Sequence, residues 1–387
     1  MGPLRILVVG AGVSGIATAR ALLRDGHEVT IFDQRPDITA GGGAVTIWSN
    51  GATVLDQLGV DMVGAGQPLS AVRVTTASGR PLATVDLDTM VSRLGAPIRM
   101  VPRRILLERL LTGFPVGRVR CRSRAIAVSH AGDEVRVDLQ DGSTVSGDVL
   151  IGADGLHSLV RETVGAPPAR PTGWCSWQGL ITLPRIAEPH VARMMIGAHG
   201  NLGLWPAGET QMQWWFDLPW APGFSRPPRP IAMIRRHFAG WSDLVDEVLA
   251  RLTDEDLAAS PFPHFRHPVP DAGIGRVTLL GDAAHTMPPT LAQGTNQALL
   301  DAMVLRRALS ESTDVVSALR RYENTRRRRV KAVSWVTTQQ VSRSEAALRP
   351  VSLVPDRAVT WALTRFLGWT SHRGIAPQMV TAPMEVR

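Results

Sequence analysis

The chain has 387 residues, 44% hydrophobic and 20% charged, a balance that excludes a disordered tail or an integral membrane bundle and has room for about two domains. Lys331 is the only lysine among 42 basic residues, which nearly excludes lysine chemistry. The net charge of +8 is arginine-borne, and its densest run, residues 326–329, reads as a solvated face following a helix; no recognised nucleic-acid-binding module accompanies it.

In chain order, residues 4–9 form a short apolar run closed by Gly10, residues 13–24 carry helix formers, and residues 28–33 make a second strand. That is a βαβ opening within about 30 residues. The first run breaks at once into Gly10, Gly12 and Gly15, unlike the core of a signal peptide. A strand followed by glycine recurs at 148–151 before Gly152 and at 277–280 before Gly281, so three separated pieces are expected to converge on one site. Between the last two, residues 166–270 hold seven of the eleven tryptophans, many prolines and strand-like runs such as 211–218, and read as an inserted β-rich domain. Alternation there puts Met212, Trp214 and Phe216 on one face and Gln211, Gln213 and Trp215 on the other. From Gln297 onward the pattern is helical, with residues 315–341 a long basic amphipathic segment. No apolar stretch reaches the ~18 residues needed to span a bilayer. Cys121 and Cys175 show neither CxxC spacing nor a Cys/His cluster, so a disulfide framework and a metal site are not expected, and a reducing, cytoplasmic setting is.

Gly10-Ala11-Gly12-Val13-Ser14-Gly15 is a GxGxxG between a strand and a helix. The first glycine permits the turn, the second admits a pyrophosphate to the backbone and the helix N-terminus, and the third lets helix pack on strand. Asp33 closes the next strand, where a carboxylate holds a ribose hydroxyl pair. This fingerprint alone leaves NAD and FAD open. No second copy occurs, so any nicotinamide must bind transiently elsewhere.

Two further motifs are less generic: Gly152-Ala153-Asp154-Gly155, continuing to Ser158 and Arg161, and Gly281-Asp282-Ala283-Ala284-His285, continuing through Pro288, Pro289, Gln293, Gly294 and Asn296. With the N-terminal fingerprint, in order over most of residues 4–345, they resemble the group A FAD-dependent aromatic hydroxylases, the single-component flavin monooxygenases related to para-hydroxybenzoate and salicylate hydroxylases. The resemblance implies an α/β chain: a Rossmann-type FAD-binding domain of the glutathione reductase kind, an inserted β-sheet substrate domain and C-terminal helices. The implied division is 1–70, 101–165 and 271–345 for the FAD domain, 71–100 and 166–270 for the substrate domain, and 346–387 for a C-terminal helical segment.

Carried over residue by residue, Gly10, Gly12, Gly15 and Asp33 match the ADP-binding unit, and Gly43, Ala44 and Val45 the flavin-side loop. Arg103 matches an arginine reaching FAD from a helix start, Asp154 the motif used for FAD and nicotinamide, and Asp282 the carboxylate on the ribityl chain. Pro289, with Pro288, resembles the wall beside the oxygen-reacting edge, and Gln293, Gly294, Thr295 and Asn296 the helix start facing the flavin. A helix beginning there aims free amides at the negative charge of a reduced flavin. Trp177, Trp205, Met212, Trp214, Phe216 and Pro289 are the candidate lining for a flat apolar substrate.

The implied cycle uses NADPH or NADH as transient co-substrate, reduced FAD and O2, and a flavin C4a-hydroperoxide that hydroxylates or epoxidises a small apolar substrate such as a phenol, indole or polyketide-like ring. No catalytic base is nominated: His285 belongs to the structural motif, and the one tyrosine, Tyr322, lies away from the expected pocket. Gln178 stands where many relatives carry arginine, so a charge for an anionic substrate is missing. The alternatives are an isoprenoid-type flavin reductase on the same fold and a non-catalytic FAD- or ligand-binding relative. A flavin halogenase pattern is absent. A monomer or homodimer with no nucleic-acid partner and no membrane anchor is expected, and the arginine-rich usage fits a GC-rich source and secondary metabolism.

Overall fold

The computed structural model describes residues 2–221, 223–339 and 348–371. At its centre five parallel strands lie in the order Val277–Leu279, Val149–Gly152, Arg5–Val9, Glu28–Phe32, Val119–Arg120. The three central strands bury apolar residues on both faces, Ile6 to Val9, Val29, Ile31 and Phe32, and Val149 to Ile151, because both faces are covered. On strand Arg5–Val9, Ile6 and Val8 join the core under helices Val13–Arg24 and Gly294–Ser310, while Leu7 and Val9 pack against a three-stranded antiparallel sheet carrying Val135, Val137 and Leu139.

Parallel neighbours about 4.8 Å apart end at one edge, which is why segments distant in sequence meet. Gly10 and Asp33 follow directly on two of four adjacent strands, and Asp154 and Asp282 come within about one turn of the ends of the other two. Short polar contacts then cross-link the motifs. Arg161, buried, donates to the Ala283 and Ala284 carbonyls at 2.9 and 3.1 Å, tying the second motif to the third.

Fully buried Asp301 accepts from the Gly281 amide (2.9 Å), Arg326 Nε (2.6 Å) and His285 Nε2 (2.5 Å). Burial alone would raise its carboxyl, but His285 and Arg326 bring it down to about 2. The expectation for residues 326–329 is thereby corrected: they lie within helix Val315–Thr338, and Arg326 turns inward because Asp301 needs a cation. Tyr322 is also buried, donating to the Leu279 carbonyl at 3.1 Å. Residues 340–341 of the expected helical segment lie outside the described residues, as do 346–347 and 372–387 of the C-terminal one.

The second layer is a seven-stranded sheet in the order Phe262–Arg266, Arg170–Thr182, Gln211–Pro219, Gly200–Pro206, Val191–Gly197, Ala71–Thr76, Pro81–Asp86. One face packs on helices Pro230–Phe238 and Asp243–Arg251. The other roofs a central cavity. A small sheet of Ala44–Ile47, Arg99–Pro102 and Gln67–Pro68 sits between the layers. Helix Asp356–Thr370 closes the far side against Pro81–Asp86 and helix Leu87–Leu94. No helix among the described residues is long and apolar enough to cross a membrane.

Two buried histidines make the fold acid-sensitive. Burial lowers His264 and His267 from 6.5 to about 4. Both stay neutral in the folded chain while the unfolded chain takes up protons, so stability falls as pH drops from about 6.5 to about 4. Thermal melts across that window should show Tm decreasing by several degrees; a flat profile would contradict the assignment.

Candidate active site

Two adjoining cavities, each of about 400 Å³, lie at the end of the parallel sheet and beneath the seven-stranded sheet respectively. The first is walled by Gly10, Gly12, Val13, Asp33, Arg35 and Asp154. Helix Val13–Arg24 starts there with Gly12 at its cap, no side-chain cap and no acidic residue in its first turn. Its free amides and positive dipole end therefore face the cavity, a setting for phosphate. Gly10 has φ +104°, and a Cβ on it would lie 2.3 Å from the Ala153 carbonyl oxygen. Gly12 has nothing within 4 Å of a Cβ position, leaving its backbone open to a ligand. Gly15 does not line the cavity; it is the packing glycine.

Asp33 is held by the Ala11 amide at 2.8 Å and the Arg35 guanidinium at 2.9 Å. Burial would raise its carboxyl, but Arg35 and the Arg35 and Ala11 amides hold it below the usual range. Asp154 accepts from Ser158 Oγ at 2.5 Å and the Val160 amide at 3.2 Å, and burial raises its carboxyl. It thus shapes the turn as well as lining the cavity.

The second cavity is a chamber under the seven-stranded sheet, reached past Gly43, Ala44, Val45 and Pro289. Arg103, Asp282, Gly294 and Thr295 line both cavities and so form the junction. Helix Gly294–Ser310 begins at that junction without a side-chain cap, again presenting free amides. Gln293 and Asn296, expected to touch cofactor, are instead fully buried anchors. Asn296 accepts from the Trp48 amide and donates to the Thr46 and Ala292 carbonyls, all at 2.9 Å, and Gln293 accepts from Asn50 Nδ2 at 3.0 Å. They set the gap between the Gly43–Val45 side and the helix start. Gln213 braces the same loop, accepting from the Ala44 amide at 2.6 Å.

The expected substrate lining needs a larger correction. Trp205 and Pro289 line the chamber, but Trp177, Met212, Trp214 and Phe216 do not. They pack in the apolar core beneath helices Pro230–Phe238 and Asp243–Arg251, with Phe238, Val245 and Val248. Alternation along strand Gln211–Pro219 was read with the right period, but the more apolar face belongs to the core. The opposite face supplies Gln213, Trp215 and Asp217, with Ser176 and Gln178 from the neighbouring strand. Gly203 is the signal that could have found Trp215: a Cβ on it would lie 1.9 Å from the indole, which also stands 5.6 Å from Trp205, centroid to centroid.

The arrangement fits an extended dinucleotide, phosphates at an uncapped helix start and a flat ring at the junction, opening into a mostly apolar chamber. Comparison with known proteins agrees. A family model described as FAD binding domain matches residues 4–337. The 3-amino-4-hydroxybenzoate 2-monooxygenase PtmB3 of Streptomyces platensis is 33% identical over 351 residues, 85% of each chain. The FAD-dependent urate hydroxylase of Klebsiella pneumoniae is 30% identical over 335 residues, 85% of this chain and 87% of that one. The crystal structure of Klebsiella pneumoniae HpxO complexed with FAD and uric acid superposes with a TM-score of 0.86 at 27% identity, covering 95% of this chain and 97% of that chain.

Proposed function

The chain belongs to the FAD binding domain family and is a FAD-dependent monooxygenase of the aromatic hydroxylase kind, and from that premise we propose that it consumes NADH or NADPH and dioxygen to hydroxylate a flat, largely apolar small molecule held in the chamber. One observation carries this reading: the four residues of the junction belong to both cavities, so the cofactor site opens directly onto a ring-sized space.

FAD held there would supply the redox chemistry linking the nicotinamide, dioxygen and the substrate, one oxygen atom entering the substrate and the other leaving as water. The chain's part is binding, orientation and exclusion of water. The amides at the start of helix Val13–Arg24 hold the pyrophosphate beside Gly10 and Gly12, and Asp33 takes the ribose hydroxyls. Arg103, Asp154 and Asp282 supply the remaining polar groups along the cofactor path. Gly43, Ala44 and Val45 stand across from Gly294 and Thr295, whose free amides meet the negative charge of the reduced ring. Pro289 offers no amide proton, and Val72, Met194, Trp205 and Trp215 give the chamber an apolar wall that keeps water from the reacting edge. The sequence-based domain division is retained as part of this proposal, supported by the pairing of strand Ala71–Thr76 with Val191–Gly197 in the substrate sheet.

The test is a substrate screen under labelled dioxygen. A substrate should gain one labelled oxygen and stimulate NAD(P)H oxidation without a matching rise in hydrogen peroxide. A reduced, unlabelled product would favour the flavin reductase reading, and a yellow protein that no compound stimulates would favour a binding role. Asp282→Ala should weaken FAD retention while leaving Tm nearly unchanged; full retention through extensive dialysis would count against its placement.

A further inference from the structure

Helix Asp356–Thr370 is apolar on two sides. Thr360, Thr364, Leu367 and Thr370 are buried against the protein, and Leu363 reaches the chamber wall. The outward stripe, at spacings of three and four, is Ala358, Trp361, Ala362, Arg365 and Trp369, all exposed. At 3.6 residues per turn these five sit within about a third of the helix circumference. Trp361 is 54% exposed and Trp369 42%. A helix side facing water ordinarily carries several charges. Here the stripe has one, Arg365, whose guanidinium lies 5.9 Å from the Trp361 ring centroid. The segment entering the helix extends the surface: residues 349–356 are all exposed, Leu353 at 82%. Of the eleven large apolar side chains exposed among the described residues, five lie in 351–369, so the exposure is gathered in one place rather than scattered.

The charged residues of 349–371 are Arg349, Arg357 and Arg365 against Asp356, and Asp356 accepts from the Thr84 amide at 2.8 Å. The stripe thus offers indoles and small alkyl groups flanked by cations, with no carboxylate of its own. A second copy docked through the same stripe would set arginine beside arginine with no acid to pair them. A bilayer with anionic headgroups satisfies both parts: indoles seat at headgroup level, their apolar bodies in and their N–H groups wet, and arginines meet the phosphates. We propose that the outer face of this helix, with residues 349–355, is a peripheral seat on an anionic phospholipid bilayer. It is a surface contact and not a span. One helix thickness, about 10 Å, then separates lipid from the chamber that Leu363 lines, which puts the chamber beside the phase where apolar rings collect. The inference goes beyond the monooxygenase reading and is tested without turnover.

The test is sedimentation of the FAD-loaded full chain with vesicles. Vesicles of equal parts phosphatidylglycerol and phosphatidylcholine should bind it at least about 10-fold more tightly than phosphatidylcholine alone, and raised salt should remove most of that difference. Trp361→Ser combined with Trp369→Ser should weaken binding to the mixed vesicles by about 10-fold or more. Arg357→Gln combined with Arg365→Gln should remove most of the preference for the anionic lipid. Val116→Ser, at an exposed apolar residue elsewhere, should leave binding unchanged. All of these side chains are exposed, so FAD retention and Tm should match the wild type. If a paired variant fails to fold, the wild-type chain on the two vesicle types decides alone. A chain that stays in the supernatant with both vesicles, equal binding to both, or undiminished binding by the tryptophan pair overturns the proposal. A dimer that the tryptophan pair breaks and that vesicles leave intact overturns it too, in favour of a second copy. Vesicle binding with no labelled product would leave this inference standing and remove only the reaction.

Discussion

Gly15→Val is expected to give a chain that no longer retains FAD. A Cβ at this position would stand 1.9 Å from the Gly10 carbonyl oxygen and 3.1 Å from its carbon, with Ala153 Cβ 3.4 Å away. The obstruction is backbone, so no rotamer change relieves it. The Gly10 turn has a positive φ and is itself pressed against Ala153, and it cannot retreat without moving strand Val149–Gly152. Overpacking of this kind costs about 3 kcal/mol or more, which in cofactor affinity is on the order of 100-fold. FAD titration against the wild type measures it. Gly15→Ala should already show most of the loss, whereas Gly26→Ala, in a turn with open space around it, should leave affinity unchanged.

Asp301→Ala should be the most damaging single change to stability. Removing the carboxylate leaves Arg326 and His285 buried beside each other and strips the Gly281 amide of its acceptor. Breaking a buried pair from one side costs about 3–5 kcal/mol. The same change loosens Gly281, which directly precedes Asp282, so FAD retention should fall with Tm. Asp25→Ala removes a partly exposed pair with Arg306 and should cost less than about 1 kcal/mol. Thermal or denaturant unfolding of the two variants side by side checks the contrast; similar losses would mean that the buried network does not anchor the turn.

The parallel sheet and the cofactor half of the site were legible in the sequence because each motif is local. A buried strand, a glycine and a polar residue follow one another within a few positions, and adjacent strands do the converging. The substrate half was not legible in the same way. Period-2 alternation on residues 211–218 separates two faces but does not say which one meets helices Pro230–Phe238 and Asp243–Arg251, and the face carrying Trp214 and Phe216 is the core face rather than the cavity wall. Ser176, Asp217 and His264 carry no local pattern; strand pairing over 41 and 88 residues brings them together. Arg326 within a run of four arginines gives no local sign that Asp301 lies behind it. Gln293 and Asn296 were placed in the right motif but in the wrong role, since their side chains join two backbone segments rather than face the cavity.

The most direct measurement is a crystal structure of this chain with FAD. The account predicts density for the ribose against Asp33, the pyrophosphate over Gly12 and the start of helix Val13–Arg24, and the ring between Gly43–Val45 and Gly294–Thr295, its open edge facing Trp205 and Trp215. A ring bound away from the junction of the two cavities, or a cofactor that bypasses Asp33 and Gly12, would contradict it.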